Sequence, residues 1–184
     1  MQSAPNLILV GPMGAGKTSI GRRLADRLGL HFVDVDQLVV ERAGADIPTL
    51  FEHVGEAGFR EREHAALASA LTGDGQVVST GGGAVLGAEN RRLMRERGFV
   101  VHLHVSVEGQ LRRVGHDRNR PLLQRPDRER TLRELAAVRE PLYAEVADLH
   151  HDTEGLSPGR ATTELIERLA VHWQRGAIPT ANTP

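Results

Sequence analysis

The chain has no cysteine, which excludes disulfide bridges and thiolate metal sites and is compatible with a reducing compartment. No apolar run approaches the ~20 residues of a membrane-spanning helix. Charge of one sign is also missing: 23 Lys and Arg stand against 24 Asp and Glu, for a formal net charge of −1. Such a balance gives no general pull toward nucleic acid or anionic lipid. Met1, Gln2 and Ser3 lead straight into an apolar strand, with nothing resembling a secretory leader. These absences point to a cytoplasmic protein with neither a nucleic-acid nor a membrane partner. There is no internal repeat and no interdomain linker, so a single domain is expected over residues 1–176. No spare apolar stripe calls for an obligate protein partner, and a monomer is expected. Residues 177–184 form a polar, proline-containing tail expected to be disordered.

What the chain does contain is Gly11-Pro12-Met13-Gly14-Ala15-Gly16-Lys17-Thr18-Ser19, set between the apolar run Leu7–Val10 and a segment with Ile20, Leu24 and Leu28 at four-residue spacing. Strand, glycine-rich loop and helix are the context a phosphate-binding loop requires. Gly11, Gly14 and Gly16 permit a tight turn that presents bare N–H groups to phosphate oxygens. The helix adds its positive end, Lys17 reaches the β- and γ-phosphates, and the Thr18 hydroxyl suits magnesium. Nucleotide binding is therefore expected at Gly14, Ala15, Gly16, Lys17, Thr18 and Ser19.

Further apolar runs at His31–Val35, Gln76–Thr80, Phe99–Val105 and Asp148–Asp152 alternate with helical stretches. Those stretches are Lys17–Leu28, Pro48–Leu71, Glu89–Arg97, Val107–Val114, Asp127–Val146 and Pro158–Arg175. The alternation predicts an α/β fold with a parallel sheet covered on both faces. Ligands in such sheets gather at the carboxyl ends of the strands. The second strand ends Val33-Asp34-Val35-Asp36; residues two apart on a strand share a face, so both carboxylates could meet the site. An Asp-rich loop, or Asp36 capping a helix that begins near Gln37, fits the same residues. The third strand ends without a carboxylate and runs into Gly81-Gly82-Gly83, which makes Asp34 the best-placed acid for magnesium. Three glycines after a buried strand fit a flexible turn. Beside a phosphate loop, they fit better a bound molecule lying against bare backbone.

The charges in Phe59-Arg60-Glu61-Arg62-Glu63 and around Arg125–Arg133 mostly read as solvated helix faces. Asp117–Leu123 differs: it is basic, broken by Pro121, and suited to a flap that carries cations over a phosphoryl group. Arg139 precedes Glu140-Pro141-Leu142-Tyr143, expected as a second break before the last strand. The chain has nine histidines, with His102 and His104 on one strand face and the pair His150-His151. Without cysteines or spaced carboxylates they read as ordinary polar positions rather than a metal site.

In order, Gly11–Thr18, Asp34-Val35-Asp36, Phe59-Arg60 with Glu63, Gly81-Gly82-Gly83, Arg120-Pro121-Leu122-Leu123, and Arg139 with Pro141-Leu142-Tyr143 resemble the signatures of the shikimate kinase family. The likeness runs from about Asn6 to Leu169. It implies a three-layer P-loop NTPase fold with a five-stranded parallel sheet of order 2-3-1-4-5, an acceptor region over 34–63 and a mobile lid over 113–126. It implies transfer of the γ-phosphoryl group of ATP to the 3-hydroxyl of shikimate, with Mg2+ as cofactor, in chorismate and aromatic amino-acid biosynthesis. Asp36, Lys17 and Arg120 would be catalytic. Asp36, Arg60, Gly81, Gly82, Gly83 and Arg139 would bind shikimate, the two arginines clamping its carboxylate with planar donor forks. Glu63 would hold Arg60, while Phe51 and Phe59 wall the ring. Thr18 and Asp34 would serve the metal, and Arg113 and Arg120 would join the P-loop in holding ATP, with Arg113 stacked on adenine.

One departure stands out. Many family members carry an adenine-side arginine near Asp152–Pro158, where this chain has Gly155 and Leu156. Gluconate kinase, with a polyol carboxylate as acceptor, is the nearest alternative, and a nucleotide-dependent binding protein without phosphotransfer is the alternative of another class. The triple glycine with paired arginines favours shikimate over gluconate, and the presence of Asp34, Asp36 and Arg120 favours an enzyme. Arg120→Ala is expected to lower kcat by about a thousandfold while weakening substrate binding less, as read by steady-state kinetics. Lost ATP affinity at normal kcat would remove Arg120 from the transition-state role.

Overall fold

The computed structural model describes residues 2–114 and 127–176. Most of the expected lid, with Arg120, and the expected tail lie outside the described residues. A short strand β1 (Gln2–Ala4) precedes β2 (Asn6–Val10), every residue of which is buried. Alternation along β2 sends Leu7 and Leu9 to one layer and Ile8 and Val10 to the other. The remaining strands of this sheet are β3 (His31–Asp34), β4 (Gln76–Ser79), β5 (Gly98–His104) and β6 (Leu149–Asp152). All pair in parallel in the order β3-β4-β2-β5-β6, which is 2-3-1-4-5 when these five are counted alone.

The helices are α1 (Lys17–Leu28), α2 (Val35–Ala43), α3 (Ile47–Ala70), α4 (Ala88–Arg97), α5 (Val107–Val114), α6 (Arg128–Val146) and α7 (Pro158–His172). On one face Ile20 and Leu24 of α1 and Leu165 and Leu169 of α7 pack against Leu7, Leu9, Val77 and Val101. On the other, Leu67, Met94, Tyr143 and Val146 from α3, α4 and α6 bury Ile8, Val10, Val78 and Val100. Covering both faces is what lets parallel strands be apolar along their whole length.

Several elements differ from the sequence expectation. The second strand stops at Asp34, because the Asp34 carboxylate caps α2 by accepting from the amides of Asp36 (3.1 Å) and Gln37 (3.3 Å). Asp34 is therefore the cap rather than Asp36, and the two carboxylates are not alternate residues of one strand. The helix expected over Pro48–Leu71 is kinked at Gly55, where φ is +68°. The break expected at Pro141 does not occur. Arg139, Tyr143 and Val146 lie on one buried face of α6, and their burial outweighs the hydrogen bond that proline removes. The last helix ends at His172 rather than Arg175, since Trp173–Arg175 becomes a strand, β7, paired in parallel with β1. The Trp173 indole N–H donates to Ala4 O at 3.1 Å, adding a side-chain tie to that pairing.

Asn6 fixes the start of the central strand. Its amide donates to Gly73 O (2.9 Å) and Arg97 O (3.1 Å) and accepts from Gln76 N (3.1 Å), joining β2 to the entry of β4 and the end of α4. Removing a buried partner leaves its mates unsatisfied, so Asn6→Ala is expected to cost about 1–3 kcal/mol of stability, measured by urea unfolding.

Candidate active site

The loop after β2 takes the shape its glycines permit: Gly11, Gly14 and Gly16 have φ of +141°, +78° and +92°. Gly16 precedes α1 and no side chain caps that helix, so its leading amides are offered to the loop. The loop borders a cavity of about 440 Å³ lined by Gly14–Ser19, Asp34, Asp36, Gly82 and Arg113, among others. Lys17 is buried, its ammonium donating to Gly11 O and Pro12 O, each at 2.8 Å. The Thr18 hydroxyl donates to Asp34 Oδ2 at 2.8 Å. A hydroxyl and a carboxylate thus meet beside the phosphate loop, a hard oxygen donor set suited to magnesium.

At one end of the cavity the walls are Thr153, Leu156, Pro158 and Ala161. Arg113 crosses from α5 to this wall, donating to Gly14 O and Thr153 Oγ1 (2.9 Å each) and to Thr153 O. Its guanidinium is tied by main chain on both sides. Thr153, Pro158 and Ala161 carried no motif signal; they line the cavity because β6 and α7 place them there.

At Asp36 and Gly82 the cavity adjoins a second cluster. A Cβ built on Gly81 would lie 2.6 Å from Glu63 Oε1 and 2.7 Å from Asp36 Oδ1, and one on Gly83 would overlap the Arg60 guanidinium. The space that Gly81 and Gly83 free is therefore filled by the protein's own charged groups, a second reason for glycine there beside the expected bound molecule. Gly82 is the exception: a Cβ there would have Arg139 Nη1 and Gly11 O as nearest atoms, both at an ordinary 3.5 Å. Arg60, Glu63, Arg139 and Asp36 thus converge on the triple glycine. Glu63 is buried and accepts from Arg60 Nη1 at 2.7 Å. Burial raises its carboxyl above the usual range against the pull of Arg60. Burial opposes the Arg60 charge too, but Glu63 and Glu56 raise its pKa overall. Arg60 Nε, Arg139 Nε and Glu63 Oε1 are buried without a hydrogen-bond partner. Phe59 is buried below, with Phe51 4.7 Å from its ring and Arg60 Cζ 5.3 Å above it. The charges of Phe59–Glu63 are thus not all solvated: Arg60 and Glu63 turn inward.

Comparison with known proteins decides among the readings left open. The family model described as "SKI: Shikimate kinase" matches residues 13–170. A shikimate kinase of Stenotrophomonas maltophilia (strain K279a) is 62% identical over 175 residues, 95% of this chain and 97% of that protein. One from Xanthomonas campestris pv. campestris (strain 8004) is 59% identical over 179 residues, 97% of this chain and 99% of that protein. The chain belongs to the shikimate kinase family. A solved shikimate kinase from Acinetobacter baumannii in complex with shikimate superposes with a TM-score of 0.87 at 45% identity, covering 91% of this chain and 93% of that one. The activity is that of an ATP-dependent kinase acting on shikimate.

Near this site the histidines of β5 and β6 come together. His102 on β5 pairs with His150 on β6, their Nδ1 atoms 3.2 Å apart, and the His102 ring packs 4.9 Å from that of Tyr143. Among the described residues no three His, Asp or Glu side chains are grouped to hold a metal. Burial, then the neighbouring His150, His104 and Lys17, push the His102 imidazole down to about 3, and half-exposed Glu140 at 3.8 Å does not offset them. An imidazole so lowered takes up its proton only on unfolding. Its contribution is complete above the ordinary value of 6.5 and is lost as pH falls from there toward 3. Stability is expected to fall across that window by up to about 1.4 kcal/mol per pH unit from this site. His102→Phe, which keeps a ring on Tyr143, should flatten the slope by that amount in urea unfolding at about pH 7 and about pH 5.

Proposed function

We propose that the cluster around Gly81–Gly83 is the shikimate site and that Asp36 joins it to the nucleotide. The observation that carries this reading is the convergence of Arg60, Arg139 and Glu63, each with a buried polar atom that has no hydrogen-bond partner, around one stretch of glycine backbone. Buried polar groups left unpaired are costly, and a ligand with one carboxylate and several hydroxyls answers them. In this reading Arg60 and Arg139 hold the carboxylate, Glu63 keeps Arg60 in place, and the N–H groups of Gly82 and Gly83 donate to the ring. Phe51 and Phe59 form the apolar side.

The Asp36 carboxylate accepts a hydrogen bond from the reacting hydroxyl and takes its proton as that oxygen attacks the γ-phosphorus. The bond from the γ-phosphorus to the β,γ-bridging oxygen breaks, and ADP leaves with that electron pair. Positioning and charge neutralisation dominate such transfers. Lys17, with the P-loop amides from Gly14 to Ser19, holds the phosphates. Arg120 is assigned to the charge that grows on the phosphoryl group. Thr18 and Asp34 would hold magnesium, which supplies further neutralisation of the phosphate oxygens when bound. Arg113, fixed by main chain, would lie along the base, with Leu156, Pro158 and Ala161 supplying apolar contact where the adenine-side arginine is replaced. The protein works as a monomer in the cytoplasm in this reading. Among the described residues the two exposed large apolar side chains, Val138 and Val171, stand on different helices, and no helix is long and apolar enough to cross a membrane.

The test is a coupled ADP-release assay with Mg-ATP on shikimate, on gluconate and without acceptor. Turnover is expected on shikimate alone. Asp36→Asn should lower kcat by about 10²–10⁴ while ATP binding persists. Gly82→Ala, which the protein itself has room for, should raise the KM for shikimate by about tenfold or more because the methyl group takes ligand space. An unchanged KM for shikimate in Gly82→Ala would place the acceptor elsewhere.

A further inference from the structure

Glycines give a turn no side chains with which to hold itself, and ordering them costs more chain entropy than ordering any other residue. Yet every carbonyl from Gly81 to Gly87 accepts a hydrogen bond from within the protein. Gly81 O and Gly83 O accept from Ala84 N (3.1 Å) and Leu86 N (3.0 Å), and Gly87 O accepts from Arg91 N (3.1 Å). The others are taken by side chains. Tyr143 of α6 donates to Gly82 O at 2.6 Å, and Asn90 of α4 donates to Ala84 O at 2.9 Å. Arg91 donates to Val85 O at 2.8 Å and Leu86 O at 3.1 Å. None of these bonds uses the N–H of Gly82 or Gly83.

The clamps are themselves anchored to the elements that carry the acceptor arginines. Asn90 Oδ1 lies 2.6 Å from Nδ1 of His64 on α3, one residue beyond Glu63. Tyr143 follows Arg139 by one helical turn on the buried face of α6 and is also hydrogen-bonded to it. Its hydroxyl is held protonated by burial, so it remains a donor.

We infer that Tyr143 and Asn90 are positioning residues for the acceptor. By fixing Gly82 O and Ala84 O from two helices, they set the direction of the Gly82 and Gly83 N–H groups and keep that backbone in register with Arg60 and Arg139. The inference rests on the acceptor reading above. It differs from a packing role in what it moves: the KM for shikimate, with the ATP side untouched.

Tyr143→Phe removes one hydroxyl and keeps the ring on His102. It is expected to raise the KM for shikimate about 5- to 20-fold, the scale of one lost hydrogen bond, with the KM for ATP within about twofold; the thermal midpoint falls as well, because Gly82 O loses its donor. Asn90→Ala should shift the same constant in the same direction, and the double variant should exceed either alone. If Asn90→Ala fails to fold, Tyr143→Phe decides by itself. A folded Tyr143→Phe with both constants unchanged, or with both raised equally, overturns the inference. Gly82→Ala, run alongside, separates the two claims. A raised shikimate KM there with a silent Tyr143→Phe leaves the acceptor site standing and removes the clamp. No effect in either removes both.

Discussion

The Arg60–Glu63 pair, a buried carboxylate and a half-buried guanidinium set against backbone that carries no side chains, is the interaction around which the acceptor end is built. A carboxylate taken out of water needs its cation and further partners, and removing that cation would leave it buried and uncompensated. Here the partners are shared out. Glu63 takes one edge of the Arg60 guanidinium, Gly81 and Gly83 make way for both groups, and atoms on each are left over. Those leftovers are affordable in a protein whose working state includes a carboxylate-bearing substrate. The glycines thus serve two ends, clearing space for the protein's own ions at Gly81 and Gly83 and leaving room at Gly82.

The nucleotide end obeys a different constraint, that of backbone direction. Three glycines at positive φ turn the chain from a fully buried strand into an uncapped helix start, and Lys17 folds back over that turn. Asp34 connects this loop to the rest of the site. One oxygen caps α2 and the other accepts from Thr18, so a single carboxylate sets both the start of α2, which carries Asp36, and the oxygen pair beside the phosphate loop.

What could be read from the sequence follows from this division. The P-loop was legible because its chemistry is local: a strand, a turn only glycine can make, and a helix. The sheet order came from the resemblance, and the structure has it. Asp34 and Asp36 were placed at the site by an argument from strand alternation that the structure replaces with a helix cap. Short polar residues at a strand end serve either purpose, and only the backbone tells which. Pro141 read as a break because local propensity cannot see the buried face of α6 that overrides it. Asn90 and the β1–β7 pairing left no trace, since each depends on segments far apart in the chain. Tyr143 stood inside a recognised motif, but its reach to Gly82 O spans 61 residues.

The β1–β7 pairing also bears on how the chain is closed. Gln2–Ala4 and Trp173–Arg175 lie side by side at the amino-terminal edge of the central strand, away from the carboxyl ends where the loops gather. The first and last strands of the described residues are thus tied to each other on the side opposite the chemistry. Opening of this pair would unlatch two segments distant in sequence while leaving the five-stranded sheet and its loops paired.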